Sequence, residues 1–286
     1  MNLISKIQKK INRLDKKPSL QIDAAKESIL DGMTKRQNKA ELVEILNAEH
    51  QVSQLPYWVG RLPIMHLPVE MLVMPGAHHY ASDYHPFVSL LKTGRRDYFD
   101  SFYQSFCPVS LADMYGVSIE DNVLGADLKP YDEPWFLRES KIPSGENGLS
   151  AKHGASFYGP VSPQKLELEY QRVTQTYESI SMQGYLPHKF GHIDGFFLQY
   201  QGQYKFYVNG AKHRAAALAA LGYSHIPVMM RDNMTRIVSD KDVAGWPLVA
   251  AGKISQDFAL SVLKAYFEPS DPLKRMTSDV AKNHEY

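Results

Sequence analysis

The sequence is nearly without cysteine: Cys107 is the only one in 286 residues. An intramolecular disulfide is therefore excluded, and no CxxC or paired Cys and His spacing offers a structural zinc site. A reducing, cytoplasmic setting fits such a content. Also missing are a run of about 18 apolar residues able to cross a bilayer and, near the start, a continuous apolar segment closing on a small-residue cleavage site. The expectation is a protein neither secreted nor integral, cytoplasmic or peripheral at the inner membrane face. Net charge is scarce too, with 32 Lys and Arg against 31 Asp and Glu. The balance is uneven along the chain: residues 1–17 carry Lys6, Lys9, Lys10, Arg13, Lys16 and Lys17 against Asp15 alone, a net +5 that leaves −4 for the rest. A slightly acidic body gives no broad nucleic-acid surface. What is present is ordinary globular material, 44% hydrophobic and 22% charged, which excludes disorder as the main state.

Leu3, Ile4, Ile7, Ile11 and Leu14 share one helical stripe with basic residues opposite, and Pro18 stops it. Residues 1–20 read as a basic amphipathic helix, suited to a membrane surface or protein contact through residues 1–17 or to packing on its own domain. A helical pattern over Asp23 to His50 opens a helical and loop-rich region, 21–154. Two helices are expected around Thr93 and Gly94, with a third capped by Ser110, and Gly125 to Gly154 reads as a surface loop or lid. The last third is clearer. Ser162 and Pro163 open a helix whose Leu166, Tyr170, Val173, Tyr177 and Ile180 repeat at helical spacing until Gly184. Two extended runs joined at Gln201 and Gly202 form a hairpin, an alanine-rich helix ends at Gly222, and IPVMMRD is a further strand. The fold class is α/β (α+β): a small mixed-sheet domain over 155–235 with a large, mainly helical N-terminal region and a short helical extension over 236–286.

One turn in that domain carries chemistry. Strand residues Asn209 and Gly210 lead at once into a helix, whose first-turn N–H groups attract an anion, and Lys212, His213 and Arg214 add cations and donors. A pocket for a small-molecule phosphate ligand is the sharp reading, and a plain strand-to-helix turn with solvated basic side chains is the other. His66, His78, His79, Asp83 and His85 crowd a loop-like stretch, but in no defensible zinc spacing. Cys107, between Phe106 and Pro108, reads as buried packing.

The run from Tyr170 to Val228 resembles the ParB and sulfiredoxin superfamily, through Ser179-Ile180, Gly184-Tyr185-Leu186-Pro187, the turn Gly210, His213 and Arg214, then Leu221-Gly222 and Ile226-Pro227-Val228. The resemblance implies that Asn209, Gly210, Lys212, His213 and Arg214 hold the phosphates of a nucleoside triphosphate, ATP or CTP, with Mg²⁺. Members include CTP-switched partitioning proteins, sulfiredoxins and kinases of free serine. Lys212 stands where sulfiredoxins place their cysteine, too little chain follows Val228 for the partitioning proteins' DNA-binding and dimerising parts, and Tyr158-Gly159-Pro160-Val161 stands where the serine kinases carry a catalytic glutamate. Trp246-Pro247, Gly252-Lys253-Ile254-Ser255 and Tyr266-Phe267, with Tyr158-Gly159-Pro160, Arg172 and Ser179, resemble a subgroup of bacterial surface-polysaccharide gene clusters. The expected function is therefore nucleotide binding with phosphate transfer to a small hydroxylated metabolite. A non-catalytic nucleotide-sensing or assembly module is the alternative, and a ParB-like DNA-associated protein the third. Transfer needs a base and a carboxylate for the metal. Glu167, in the opening turns of the helix, and Asp232, past the third strand, are the catalytic candidates, ahead of Glu169, Glu178 and Asp194.

Overall fold

The computed structural model describes residues 64–117, 127–136, 148–230 and 235–275, together with Val52 and Leu55. The amphipathic segment 1–20, the helical pattern of 23–50 and Asp232 lie outside the described residues. The described chain is a mixed α/β structure built on one seven-stranded mixed sheet.

The hairpin forms where expected: β4 (Ile193–Tyr200) and β5 (Gln203–Gly210) pair antiparallel. Gln201 and Gly202 both take positive φ, 49° and 81°, the two-residue turn whose twist matches that of its strands. Strand β6 (His225–Met230) pairs parallel with β4 at Ile193–Gly195, and β7 (Ile237–Ser239) continues along the same side of β4 at Phe197–Gln199. The sheet also extends beyond the 155–235 segment. Three strands come from the region expected to be helical and loop-rich: β1 (Ile64–Pro68) on β6, β2 (Leu72–Met74) parallel on β5, and β3 (His78–His79) on β2. They run from two to five residues, and β2 is buried at every position, so no alternation marks them. The order is β1-β6-β4-β5-β2-β3, with β7 beside β4.

Helices α1 (Pro86–Thr93), α2 (Asp97–Ser105) and α3 (Leu111–Tyr115) precede the hairpin. Ser110 caps α3 and Asp113 returns the bond to the Ser110 N–H, a complete capping box. Helix α4 (Pro163–Gln183) starts on the Ser162 hydroxyl, which accepts from the Lys165 N–H, and stops at Gly184. A short α5 (Pro187–Phe190) follows, and α6 (Lys212–Ala220) carries the chain from β5 across β4 to β6. Ala215, Ala216, Ala217 and Ala219 are buried on α6, letting it approach the sheet, α4 and α1 closely. Toward the chain end lie α7 (Pro247–Ala250) and α8 (Gln256–Ala265). The hydroxyls of Tyr115, Tyr207 and Tyr266 all donate to the buried carboxylate of Glu133, at 3.2, 2.8 and 2.7 Å. This bond set ties α3, β5 and the end of α8 to the 127–136 segment, so the buried Glu133 carboxylate is satisfied and the C-terminal extension is fastened to the sheet. Among the described residues no helix is long and apolar enough to cross a membrane.

Candidate functional site

The β5–α6 turn owes its shape to two adjacent residues. A Cβ on Gly210 would lie 2.2 Å from Asp194 Oδ2, so glycine is what lets the Asp194 carboxylate close on the strand end. The left-handed conformation, φ 62° and ψ 37°, falls one residue later on Ala211, which precedes the first turn of α6. Beside this turn is a cavity of about 480 Å³. Helix α4 contributes Arg172, Gln175, Thr176, Ser179 and Ile180, residues three and four apart that lie on one helical face. The Gly184–Leu186 turn and Phe190 form an apolar and aromatic wall, and Ala211, His213 and Arg214 close the site from α6. Among the described lining residues are three basic side chains and no acidic one.

The nearest turn of α4 holds the counter-charge. Glu169 is 0% exposed. Its Oε1 accepts from Lys165 Nζ at 2.8 Å, Ser156 Oγ at 3.0 Å and Arg172 at 3.4 Å, while Oε2 takes His213 Nε2 at 2.8 Å. Burial by itself pushes this carboxyl up, but the hydrogen bond and charge of His213, then those of Lys165, outweigh it and hold the pKa at about 2. Glu169 is therefore an ionised, fully engaged carboxylate. It is set behind His213 rather than offered to the cavity.

The sequence-predicted residues divide. His213 and Arg214 line the cavity. Arg214 also donates to the carbonyl of Gly191 at 2.6 Å and to those of Phe190 and His192, so its guanidinium clamps the end of α5. Lys212 folds back, its Nζ 2.6 Å from the Asn209 carbonyl, and neither residue is part of the lining. Glu167 does not join them: it is on another face of α4, hydrogen-bonded to Arg96 at 3.1 Å, which holds its carboxyl below the usual range, and to Gln171. Glu169 lies three residues before Arg172 and seven before Thr176, on the helical side that carries the lining residues, whereas Glu167 is five from Arg172 and off it. Tyr185 belongs to the Gly184-Tyr185-Leu186-Pro187 run singled out above, whereas no sequence signal pointed to Phe190, and the fold brings both to the wall.

The histidine group is structural in its setting. His78, His79 and His85 are buried in the core, and burial holds all three pKa values low, His79 and His85 at about 3. His85 Nδ1 accepts the Val88 N–H and so caps α1, and His78 Nε2 meets the Phe157 carbonyl at 3.3 Å. Asp83 is on the surface with Lys92, and His66 is half-buried on β1. No three His, Cys, Asp or Glu among the described residues are grouped to hold a metal ion. Cys107 is half-buried rather than packed in the core, its thiol on the carbonyls of Tyr103 and Gln104 and raised by desolvation. The chain matches no protein-family model, no curated protein and no solved structure, which leaves this cavity as the pointer to function.

Proposed function

We propose that the chain binds a nucleoside triphosphate, ATP or CTP, in the cavity between α4 and α6, and acts as a nucleotide-sensing or assembly module of the ParB and sulfiredoxin kind. The observation that carries this reading is the donor set. Arg172, His213, Arg214 and the amino end of α6 converge on one cavity with no acidic lining residue among those described, beside a wall of Leu186, Tyr185 and Phe190. Cations and N–H groups suit phosphates, and an apolar aromatic wall suits a base. The order α4, α5, β4–β5 hairpin, α6, β6 is compatible with the superfamily resemblance. The same donor set suits an anion better than Mg²⁺, which takes oxygen ligands and here would have to rely on the nucleotide's own phosphates.

A second reading, phosphate transfer to a small hydroxylated metabolite of surface-polysaccharide synthesis, is favoured by Asp194, whose carboxylate stands against Gly210 at the turn. It predicts ATP consumption that depends on an added hydroxyl compound and is lost in Asp194→Asn. The binding reading is tested by thermal melting with a nucleotide panel, with and without Mg²⁺. A ligand at about 100 times its Kd stabilises by roughly 2.7 kcal/mol, a shift of several degrees, and Arg172→Ala should remove most of it. A panel in which no nucleotide moves the melting temperature would overturn it.

A further inference from the structure

One wall of the cavity hangs between two glycines. Gly184 and Gly191 bracket α5 at φ 78°, ψ 173° and at φ 80°, ψ 166°, a region of backbone space that residues with a side chain scarcely enter. Between them Tyr185, Leu186 and Phe190 line the cavity, yet α5 buries no residue and Phe190 is 53% exposed. Apolar packing therefore holds this segment weakly. The Tyr185 hydroxyl accepts the Ile193 N–H at 3.1 Å, a bond within the same stretch of chain. Among the described residues, only Arg214 joins the 185–191 segment by hydrogen bonds to a more distant part of the chain: Nη1 donates to the carbonyls of Phe190 and Gly191, and Nη2 reaches that of the adjoining His192 at 3.5 Å. A guanidinium carries five N–H groups in one rigid plane, and these contacts use Nη1 and one hydrogen of Nη2. The opposite edge, Nε–H with the second Nη2 hydrogen, meets no protein acceptor among the described residues. Such an edge matches a pair of phosphate oxygens, and Arg214 lines the cavity.

From this geometry we infer that residues 184–191 are a lid on the cavity, that Arg214 is its latch, and that a phosphate group bound in the cavity tightens the latch. The inference rests on the nucleotide-binding reading above. A phosphate held on the Nε edge fixes the plane of the guanidinium, and the rigid plane then fixes Nη1 on the carbonyls at the end of α5. The two glycines are the hinges about which the segment moves, and the latched position is the one that brings Tyr185, Leu186 and Phe190 to the wall. Ligand and lid are thereby coupled through one side chain. The coupling is reciprocal, so a change that disfavours the latched lid weakens the ligand even where it touches no ligand atom. No covalent bond of the ligand or the protein changes.

The test is hydrogen exchange of the full chain with ATP and with inorganic tripolyphosphate, read at the amides of Lys189, Phe190 and Gly191, which donate to Leu186 and Pro187 within the lid. Both compounds, at saturating concentration, should slow exchange at these amides about tenfold or more. Arg214→Lys keeps a charge but replaces the two-edged fork by a point donor, and it should bind ATP more weakly and give no slowing. In Gly191→Ala the new Cβ would meet nothing within 4 Å, so the change acts on the backbone alone, and it should weaken ATP binding severalfold although residue 191 is not part of the lining. ATP that binds with unchanged or faster exchange in the lid, slowing that tripolyphosphate fails to reproduce, slowing that persists in Arg214→Lys, or an ATP affinity unchanged in Gly191→Ala would overturn the inference and leave nucleotide binding standing. ATP that does not bind the unmodified chain would overturn both.

Discussion

Glu169 and Glu167 are two residues apart on the same helix and have opposite roles. Glu169 neutralises Lys165, whose side chain is only 4% exposed, and takes His213 on its other oxygen. Removing it leaves a buried ammonium without its counter-ion, and such losses run to about 3 kcal/mol. Glu169→Ala should therefore lower the denaturation midpoint strongly, and Lys165→Met in the same chain should restore much of the loss, because a buried pair replaced as a pair costs little. Glu167 forms a half-buried pair with Arg96, and Glu167→Ala should lower the midpoint far less than Glu169→Ala does. The distinction was available in principle from helical spacing, since the lining face runs through Arg172, Thr176 and Ser179. What spacing could not supply was that His213, forty-four residues on, would meet Glu169 rather than a ligand on its Nε2 side. That contact exists only because α4 and α6 pack together.

At the scale of elements, α6 is held by size. Ala215, Ala216, Ala217 and Leu218 are fully buried, and the helix fits among the sheet, α4 and α1 because three of these four side chains end at Cβ. Ala216→Leu should cost about 2 kcal/mol by overpacking, and the displaced amino end should weaken ligand binding along with stability. Both effects are read from one set of melts with and without nucleotide. Local chemistry made several elements legible: the Ser162 cap and Gly184 stop of α4, the Ser110 capping box, and the Gln201-Gly202 turn each satisfy backbone needs with residues adjacent in sequence. Strands β1, β2, β3 and β7 had no such signal. Each is five residues or fewer, and its backbone bonds are completed by partners more than one hundred residues away for β1 and β2 and about forty away for β7.

Across the whole molecule, the buried histidines govern the response to acid. His79 and His85 titrate near 3 in the folded protein against an ordinary 6.5, so between these values the unfolded chain binds more protons. Stability is then complete above about pH 6.5 and is lost progressively as the pH falls toward 3, with Glu169 adding a loss of the same sign between 4.5 and about 2. Urea midpoints taken from pH 7 down to pH 4 should fall steadily, and His79→Asn should flatten part of that slope. A midpoint constant over this range would show that these histidines are not buried neutral.

The sequence by itself determined what depends on neighbours along the chain: the helix caps, the hairpin turn, the alanine face of α6 and the cluster of basic residues at its start. Those features are set by local backbone geometry and side-chain size, which a linear reading can weigh. The tertiary structure alone decided that residues 64–79 complete the sheet, that Lys212 turns away while Arg172 turns in, and that His213 meets Glu169 behind the cavity. These depend on which surfaces meet when α4, α6 and the sheet bury their apolar faces together, and the free energy of that meeting is shared among residues far apart in the chain.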